Sequence, residues 1–498
     1  MAPSAGGDFD VRRIAVIGAG PCGLATAKYL LAQGTFDKVD VYEQEDEVGG
    51  VWYYSKEPPA APCPVPQADP FLPPDKPLVR GGGGAGPLFP SPMYEKLHAN
   101  IPGTLMKFSD QDFPEGGWVF PRRETIQEYL VRYAEEVRDS IRFSFRVSDV
   151  ALEKSADGVH DRWRLEARST VSDEVVRGTY DAVVVANGHY STPFIPDIKG
   201  IADFDEAHPS VVMHSKAYRS GESFRGKKVI VVGNGPSGTD IAAQISPFSR
   251  QPALLSVKEP TPAERLEHTG CREVAEIVEF LPGDGRSVRL SDGSVETGVD
   301  RIVFCTGFLY SFPFLPDDIQ RRLITDGRGV HGLYRHLVSV DHPTLAFPCL
   351  NIMAIPWPLA EVQAAVYAGL WSNQLRLPGR DVMEAWSRKL TEERSPRIHV
   401  FKSPEDGHYH NELHDWAVQA THLGKVPPRW GDFEFWQRSL FPIAKLRFEQ
   451  QGCTATTLDE LGLHYEPAEA GEAKAAAEKA AVEKTAADTA SADIATSS

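Results

Sequence analysis

Several things are scarce in this 498-residue chain, and each scarcity excludes something. Its six cysteines, Cys22, Cys63, Cys271, Cys305, Cys349 and Cys453, lie far apart with no CxxC pair. That excludes a zinc ribbon, dithiol exchange and a secreted disulfide framework, and the compartment reads as reducing. Positive charge is short: 52 Lys+Arg against 69 Asp+Glu leave a net charge of -17, which argues against nucleic acid and anionic membrane surfaces as partners. Long apolar runs are missing too. The most apolar window, 344–371, is broken by Pro348, Asn351, Pro356, Pro358 and Glu361, whereas a membrane span needs about 20 nearly uncharged residues. It is expected to be buried core, with no transmembrane segment. Residues 1–10 lack the basic start and apolar run of a signal peptide, which predicts a cytoplasmic protein.

What is present belongs to a soluble globular protein: 42% hydrophobic, 10% aromatic and 24% charged residues, on a chain long enough to bury a core without a metal or disulfide staple. Two stretches stand apart. The terminal segment, 466–498, is nearly all Ala, Glu, Lys, Asp, Ser and Thr and cannot offset its ordering entropy, so a disordered tail or marginal helix is expected. The segment 58–92, crowded with prolines and carrying Gly81 to Gly84, reads as a long surface excursion without chemistry of its own. Elsewhere, short β-branched runs alternate with helical stretches, the pattern of α/β architecture with parallel sheets.

Two runs, Arg13–Ile17 and Lys228–Val232, each lead into a glycine cluster and then a helix-compatible segment. The first cluster is Gly18, Ala19, Gly20, Pro21, Cys22, Gly23. Gly18 permits the tight turn, Gly20 lets the backbone approach a pyrophosphate, and Gly23 allows the helix to pack closely on the strand. Glu43 follows at the end of the next apolar run, at the spacing from Gly23 where a carboxylate accepts ribose hydroxyls. A second glycine turn with an aromatic, Gly49, Gly50, Val51, Trp52, suits a cofactor larger than NAD, and FAD fits better.

The second cluster is Gly233, Asn234, Gly235, Pro236, Ser237, Gly238. Here the position corresponding to Glu43, at the same distance past the last glycine, is Lys258, with Ser256 beside it. A lysine attracts the 2′-phosphate that a carboxylate repels, so this site is expected to prefer NADPH. Arg265 is an alternative cation, and a solvated strand-end lysine is the plain structural reading of Lys258. Three histidines, His408, His410 and His414, surround Glu412 in an order that differs from the HExxH of zinc proteases, so no metal site is expected. Cys22 reads as a small filler, and Trp416, Trp430 and Trp436 read as packing residues.

These residues resemble the flavin-containing monooxygenases among the class B flavoprotein monooxygenases, most closely the soluble fungal type. The resemblance runs from about Ile14 to about Trp430 and takes in Ser91 to Leu97, Asn100 to Pro102, Met106, Asp112 to Pro114, Thr125 to Leu130, Ala186 to Tyr190, Pro193 to Gly200, Cys305 to Phe308 and Pro356 to Ala364. One departure is visible: of the family pattern FxGxxxHxxx(Y/F), His214 and Tyr218 remain, while His208 replaces its Phe and Ser210 its Gly.

The resemblance implies two Rossmann-like dinucleotide-binding domains. The FAD domain would be discontinuous, residues 14–191 and 324–465 after a flexible 1–13, with the NADPH domain, 214–312, inserted and a tail at 466–498. Ala186 to Gly188 and Cys305 to Gly307 would be the linkers. It implies that NADPH reduces FAD, that the flavin forms a C4a-hydroperoxide with O2, and that a small thioether, thiol, thione or amine leaves as an S- or N-oxide. It implies Asn100 as the catalytic amide beside flavin and NADPH, where one donor is commonly worth about 2.7–4 kcal/mol. Val150 and Gln363 join the FAD contacts and Tyr218 the NADPH contacts. A Baeyer-Villiger oxygenase acting on ketones and a non-catalytic nucleotide sensor remain alternatives, and a homodimer is left open.

Overall fold

A computed structural model describes residues 9–78, 88–154 and 161–467. The run Gly81 to Gly84 and nearly all of the 466–498 tail lie outside the described residues, as do residues 1–8.

The apolar run after Arg13 forms the strand Arg13–Ile17, whose last four residues are buried. A strand covered on both faces reads as a continuous β-branched stretch, which is why it pairs in parallel on both sides. Its partners are Lys38–Tyr42 on one side and Ala182–Val185 on the other, with Ile14 opposite Val39 and Ala182. The complete sheet has seven strands in the order Leu333–Tyr334, Val338–Ser339, Leu345–Ala346, Ala182–Val185, Arg13–Ile17, Lys38–Tyr42, Ile141–Arg142. It therefore draws on chain from both ends of the molecule. Packed on the helix Pro21–Ala32, in the same apolar core as the sheet, lies the helix Pro356–Trp371, in which every residue from Trp357 to Trp371 is buried; it is the second part of the apolar window of the sequence. Among the described residues no helix is long and apolar enough to cross a membrane.

The second sheet has five strands, all parallel, in the order Arg272–Ala275, Leu254–Val257, Val229–Val232, Arg301–Phe304, Val212–His214. Ile230 lies opposite Leu254 and Ile302, and apolar clusters fill both faces. The two chain crossings between the sheets pair with each other: Thr192–Pro193 and Phe308–Leu309 form a two-stranded antiparallel ribbon, and Phe194 N–H donates to Gly307 O at 3.0 Å.

The proline-rich excursion has a structural task. Gln67 and Ile195 exchange backbone bonds of 2.9 and 2.8 Å beside that ribbon. Val65 packs on the second domain's core and Phe71 on the first's. Asp75 takes the Nζ of Lys216, a side chain only 4% exposed, at 2.5 Å. The excursion thus straps the two sheets' surroundings together.

Candidate active site

Both glycine clusters form a strand, a turn and a helix. At the first, Gly18 adopts φ +105°, and a Cβ there would lie 2.6 Å from the carbonyl oxygen of Ala186. The helix Pro21–Ala32 then starts at Gly20 with no side-chain cap, so its first N–H groups are left for an anion. The turn at Gly50 closes over it: a Cβ on Gly50 would lie 3.0 Å from the Cα of Gly20. Ala19, Cys22, Val51 and Trp52 complete this wall, and Ser91 Oγ bonds the carbonyl of Val51 at 2.5 Å. Glu43, 5% exposed, reaches back into the turn. Its Oε2 accepts the N–H of Ala19 at 2.7 Å and its Oε1 that of Glu45 at 2.9 Å. Burial raises its pKa while these backbone donors pull it down.

At the second cluster Gly233 has φ +100°, and the helix Pro236–Ile245 starts at Gly235, again without a side-chain cap. A Cβ on Gly235 would meet nothing within 4 Å, and Gly235, Pro236 and Ser237 are exposed. Asn234 braces the turn by donating to Glu259 O at 2.9 Å and to Thr261 Oγ1 at 3.1 Å. Lys258 is 78% exposed and lies 3.1 Å from Glu276. Arg265 is engaged elsewhere, in an ion pair with Glu449. Two uncapped helix starts, one covered by the Gly50 turn and one open, fit the pyrophosphates of FAD and NADPH.

The remaining candidate residues divide into two sets. Asn100 is exposed, and its side-chain amide makes no hydrogen bond within the described chain, although the backbone on either side is pinned: Ala99 N–H donates to Pro121 O and Gly103 N–H to Val119 O, each at 2.8 Å. By contrast Val150, Tyr218, Ser256 and Gln363 are turned into the core. The amide of Val150 donates to Phe314 O at 2.7 Å. Tyr218 reaches Gln244 Oε1 at 3.2 Å, and Ser256 Oγ donates to Ala275 O at 2.9 Å. Gln363 accepts Cys349 N–H at 2.8 Å and bonds the Tyr409 hydroxyl at 3.2 Å. In this arrangement their side chains meet protein, so they shape the walls rather than the open space.

Tyr190, at the first linker, is 44% exposed, yet burial pushes its hydroxyl up to about 12. Beside it, His189 is lowered to about 4 by burial, and its Nε2 is a buried atom without a hydrogen-bond partner among the described residues. Phe308 of the other linker meets Tyr190 edge-on at 5.7 Å and His214 at 4.9 Å.

Sequence reading missed the ties between Asn100's segment and the second domain. Tyr94 donates its hydroxyl to Asp240, on the helix that starts at Gly235. The carbonyl of Arg219 accepts the N–H of Glu95 at 3.0 Å, and its guanidinium donates to the carbonyls of Met93 at 3.4 Å and Glu57 at 2.9 Å. No spacing in the sequence announces either, since each joins segments far apart in the chain. The three histidines disperse: His410 is buried against Trp430, His414 lies 3.0 Å from Asp415 and His408 is exposed.

Comparison with known proteins accords with this geometry. Residues 90–267 match the flavin-binding monooxygenase-like family, and residues 16–67 an NAD(P)-binding Rossmann-like domain. The chain is 30% identical over 442 residues to a thiol-specific monooxygenase of Saccharomyces cerevisiae, covering 85% of this chain and 88% of that protein. It is 31% identical to flavin-containing monooxygenase FMO GS-OX-like 2 of Arabidopsis thaliana, covering 89% and 90%. Among solved structures, the S-allyl-L-cysteine S-oxygenase of Allium sativum superposes with a TM-score of 0.73 at 26% identity, covering 94% of this chain and 99% of that one.

Proposed function

The chain belongs to the flavin-containing monooxygenases, and from that premise we propose that it uses NADPH and O2 to oxygenate a small soft nucleophile at sulfur or nitrogen. The balanced reaction takes substrate, NADPH, H+ and O2 to the S- or N-oxide, NADP+ and water. The observation that carries the reading is the pair of uncapped, glycine-lined helix starts, at Gly20 and Gly235, in two domains joined by one paired ribbon. One such site serves a dehydrogenase; two serve a protein that passes electrons from one dinucleotide to another.

FAD, when bound, supplies the electron transfer and oxygen activation; the protein supplies binding, orientation and exclusion of water. Gly18 to Gly23 and Glu43 would hold FAD, with Gly50 closing the turn. Gly233 to Gly238 would hold NADPH, with Lys258 taking the 2′-phosphate. Asn100 would donate its side-chain amide to the reacting centre, which requires an amide free of other partners, as this one is among the described residues. Tyr190 and Phe308 would wall the cleft against water. The thiol and S-allyl-cysteine activities named for the relatives favour sulfur as the atom attacked.

The test is product analysis. Purified protein loaded with FAD should oxidise NADPH faster when a thioether, thiol or thione is added, and one atom of 18O2 should appear in the oxide. Ester formation from a ketone panel without sulfoxide would instead place it among Baeyer-Villiger oxygenases. No substrate-stimulated oxidation across sulfides, amines and ketones would leave a nucleotide sensor.

A further inference from the structure

Asn100 is held from behind by a lysine. Lys445 lies on the helix Asp432–Gln450 and is 6% exposed. Its Nζ donates to the carbonyl of Ala99 at 2.9 Å. The rings of Phe120 and Phe448 lie at 5.2 and 5.7 Å from the ammonium, and the Glu449 carboxylate at 3.8 Å. Burial lowers the lysine's pKa. A buried ammonium is unfavourable unless bonded, and an aliphatic side chain would fill the same space without that penalty. What the lysine adds is a bond to the residue directly before Asn100.

Glu449, next along the same helix face, carries the connection onward. It is ion-paired with Arg265 and lies 3.3 Å from His268, both on the helix Ala263–Thr269 of the second domain. The start of the Asn100 segment is tied to that domain too, through Tyr94 and Asp240. The loop bearing Asn100 is therefore gripped at both ends by the domain whose glycine turn starts at Gly233, once directly and once through Glu449 and Lys445.

We infer that Lys445 is a positioning residue for Asn100 and that Glu449 couples this position to the state of the second nucleotide domain. The inference rests on the reading of Asn100 as the amide beside the flavin. In the holoenzyme, Lys445→Met keeps side-chain length and removes the bond, while Lys445→Arg keeps the charge. Lys445→Met should retain FAD and consume NADPH, but release about tenfold more of the electrons as hydrogen peroxide, the equivalent of one lost hydrogen bond. Lys445→Arg should restore most of the coupling. A second readout needs no turnover: hydrogen exchange at the amides of 99–103 should quicken about tenfold in Lys445→Met. In the wild type, NADP+ should slow that exchange; in Glu449→Gln it should not.

The two readings separate. If Asn100→Ser leaves peroxide release unchanged, the role of Asn100 falls and the inference with it. If Asn100→Ser uncouples and Lys445→Met, still folded and holding FAD, does not, the positioning role alone is overturned. The double variant should release no more peroxide than Asn100→Ser, because Lys445 acts through Asn100; an additive rise would also overturn it. Should Lys445→Met fail to hold FAD, the exchange response of Glu449→Gln to NADP+ decides.

Discussion

A Cβ on Gly23 would stand 1.9 Å from the carbonyl oxygen of Gly18, and the same 1.9 Å separates a Cβ on Gly238 from the carbonyl oxygen of Gly233. Two distant parts of the chain have arrived at one geometry, in which helix and strand approach too closely for any side chain. The obstacle in each case is backbone, which cannot swing aside as a flexible side chain does.

The two turns should therefore fail separately. Gly23→Ala should yield colourless protein, whereas Gly238→Ala should remain yellow and lose reduction by NADPH. Flavin absorbance after purification and anaerobic reduction measure the two. A Gly238→Ala protein reduced at the wild-type rate would show that the second turn does not hold the donor nucleotide.

Lys258 is exposed and pairs with Glu276, an arrangement contributing about 0–1 kcal/mol to stability. Lys258→Glu should leave the urea midpoint nearly unchanged and raise the KM for NADPH about tenfold more than that for NADH, a factor equivalent to about 1.4 kcal/mol. Equal effects on the two nucleotides would remove the lysine from the phosphate site.

Ser210, which stands where the family pattern carries glycine, has φ +68°. A side chain in that left-handed region costs about 1–2 kcal/mol, part of which is offset by the smaller entropy of the unfolded serine. Ser210→Gly should raise stability by about 1 kcal/mol in urea titration. A loss instead would mean that the serine hydroxyl contributes more than its backbone costs.

Below neutral pH, stability should be set by two opposed effects. Burial lowers His98, His189 and His214 to about 4 and His336 and His410 to about 3, against 6.5 in an open chain. The unfolded chain binds protons on these rings first, so their contribution is present above 6.5 and is lost as pH falls towards 4. Glu361, fully buried and bonded by Ser109, is raised by burial from 4.5 to about 7. Its contribution is full below 4.5 and is lost as pH rises through 7. Thermal midpoints should rise from pH 5 to about 6.5, because five rings outweigh one carboxyl, and stay level from pH 7 to 9; Glu361→Gln should steepen the rise. A midpoint that climbs steadily as pH falls below 6 would contradict the histidine account.

The legible part of the site is the local part. Gly18, Gly23, Gly233 and Gly238 could be read because a tight turn and a close helix–strand contact are demands made within one short stretch of chain. Glu43 and Lys258 could be read because strand and helix lengths repeat, which places a strand end at a fixed distance along the chain. Lys445 could not. Its bond to Ala99 joins opposite ends of the sequence, and nothing in the aromatic-rich stretch around it distinguishes a lysine that snorkels to water from one that is enclosed. The turning inward of Ser256 was equally hidden, since a strand's hydrogen-bonding neighbour depends on which other strand lies beside it.

By itself, then, the sequence determined that there are two dinucleotide turns, which strand ends carry opposite charge, and which apolar window is enclosed. Each of these follows from backbone conformations and hydrophobic periods that are properties of short segments. Only the tertiary structure decided that the two linkers pair as one ribbon, that the proline-rich excursion straps the domains through Gln67 and Asp75, and that the Asn100 loop is gripped by Tyr94 and Lys445. Those contacts form only after the sheets have packed, because each joins groups whose separation along the chain is set by topology and not by any local period.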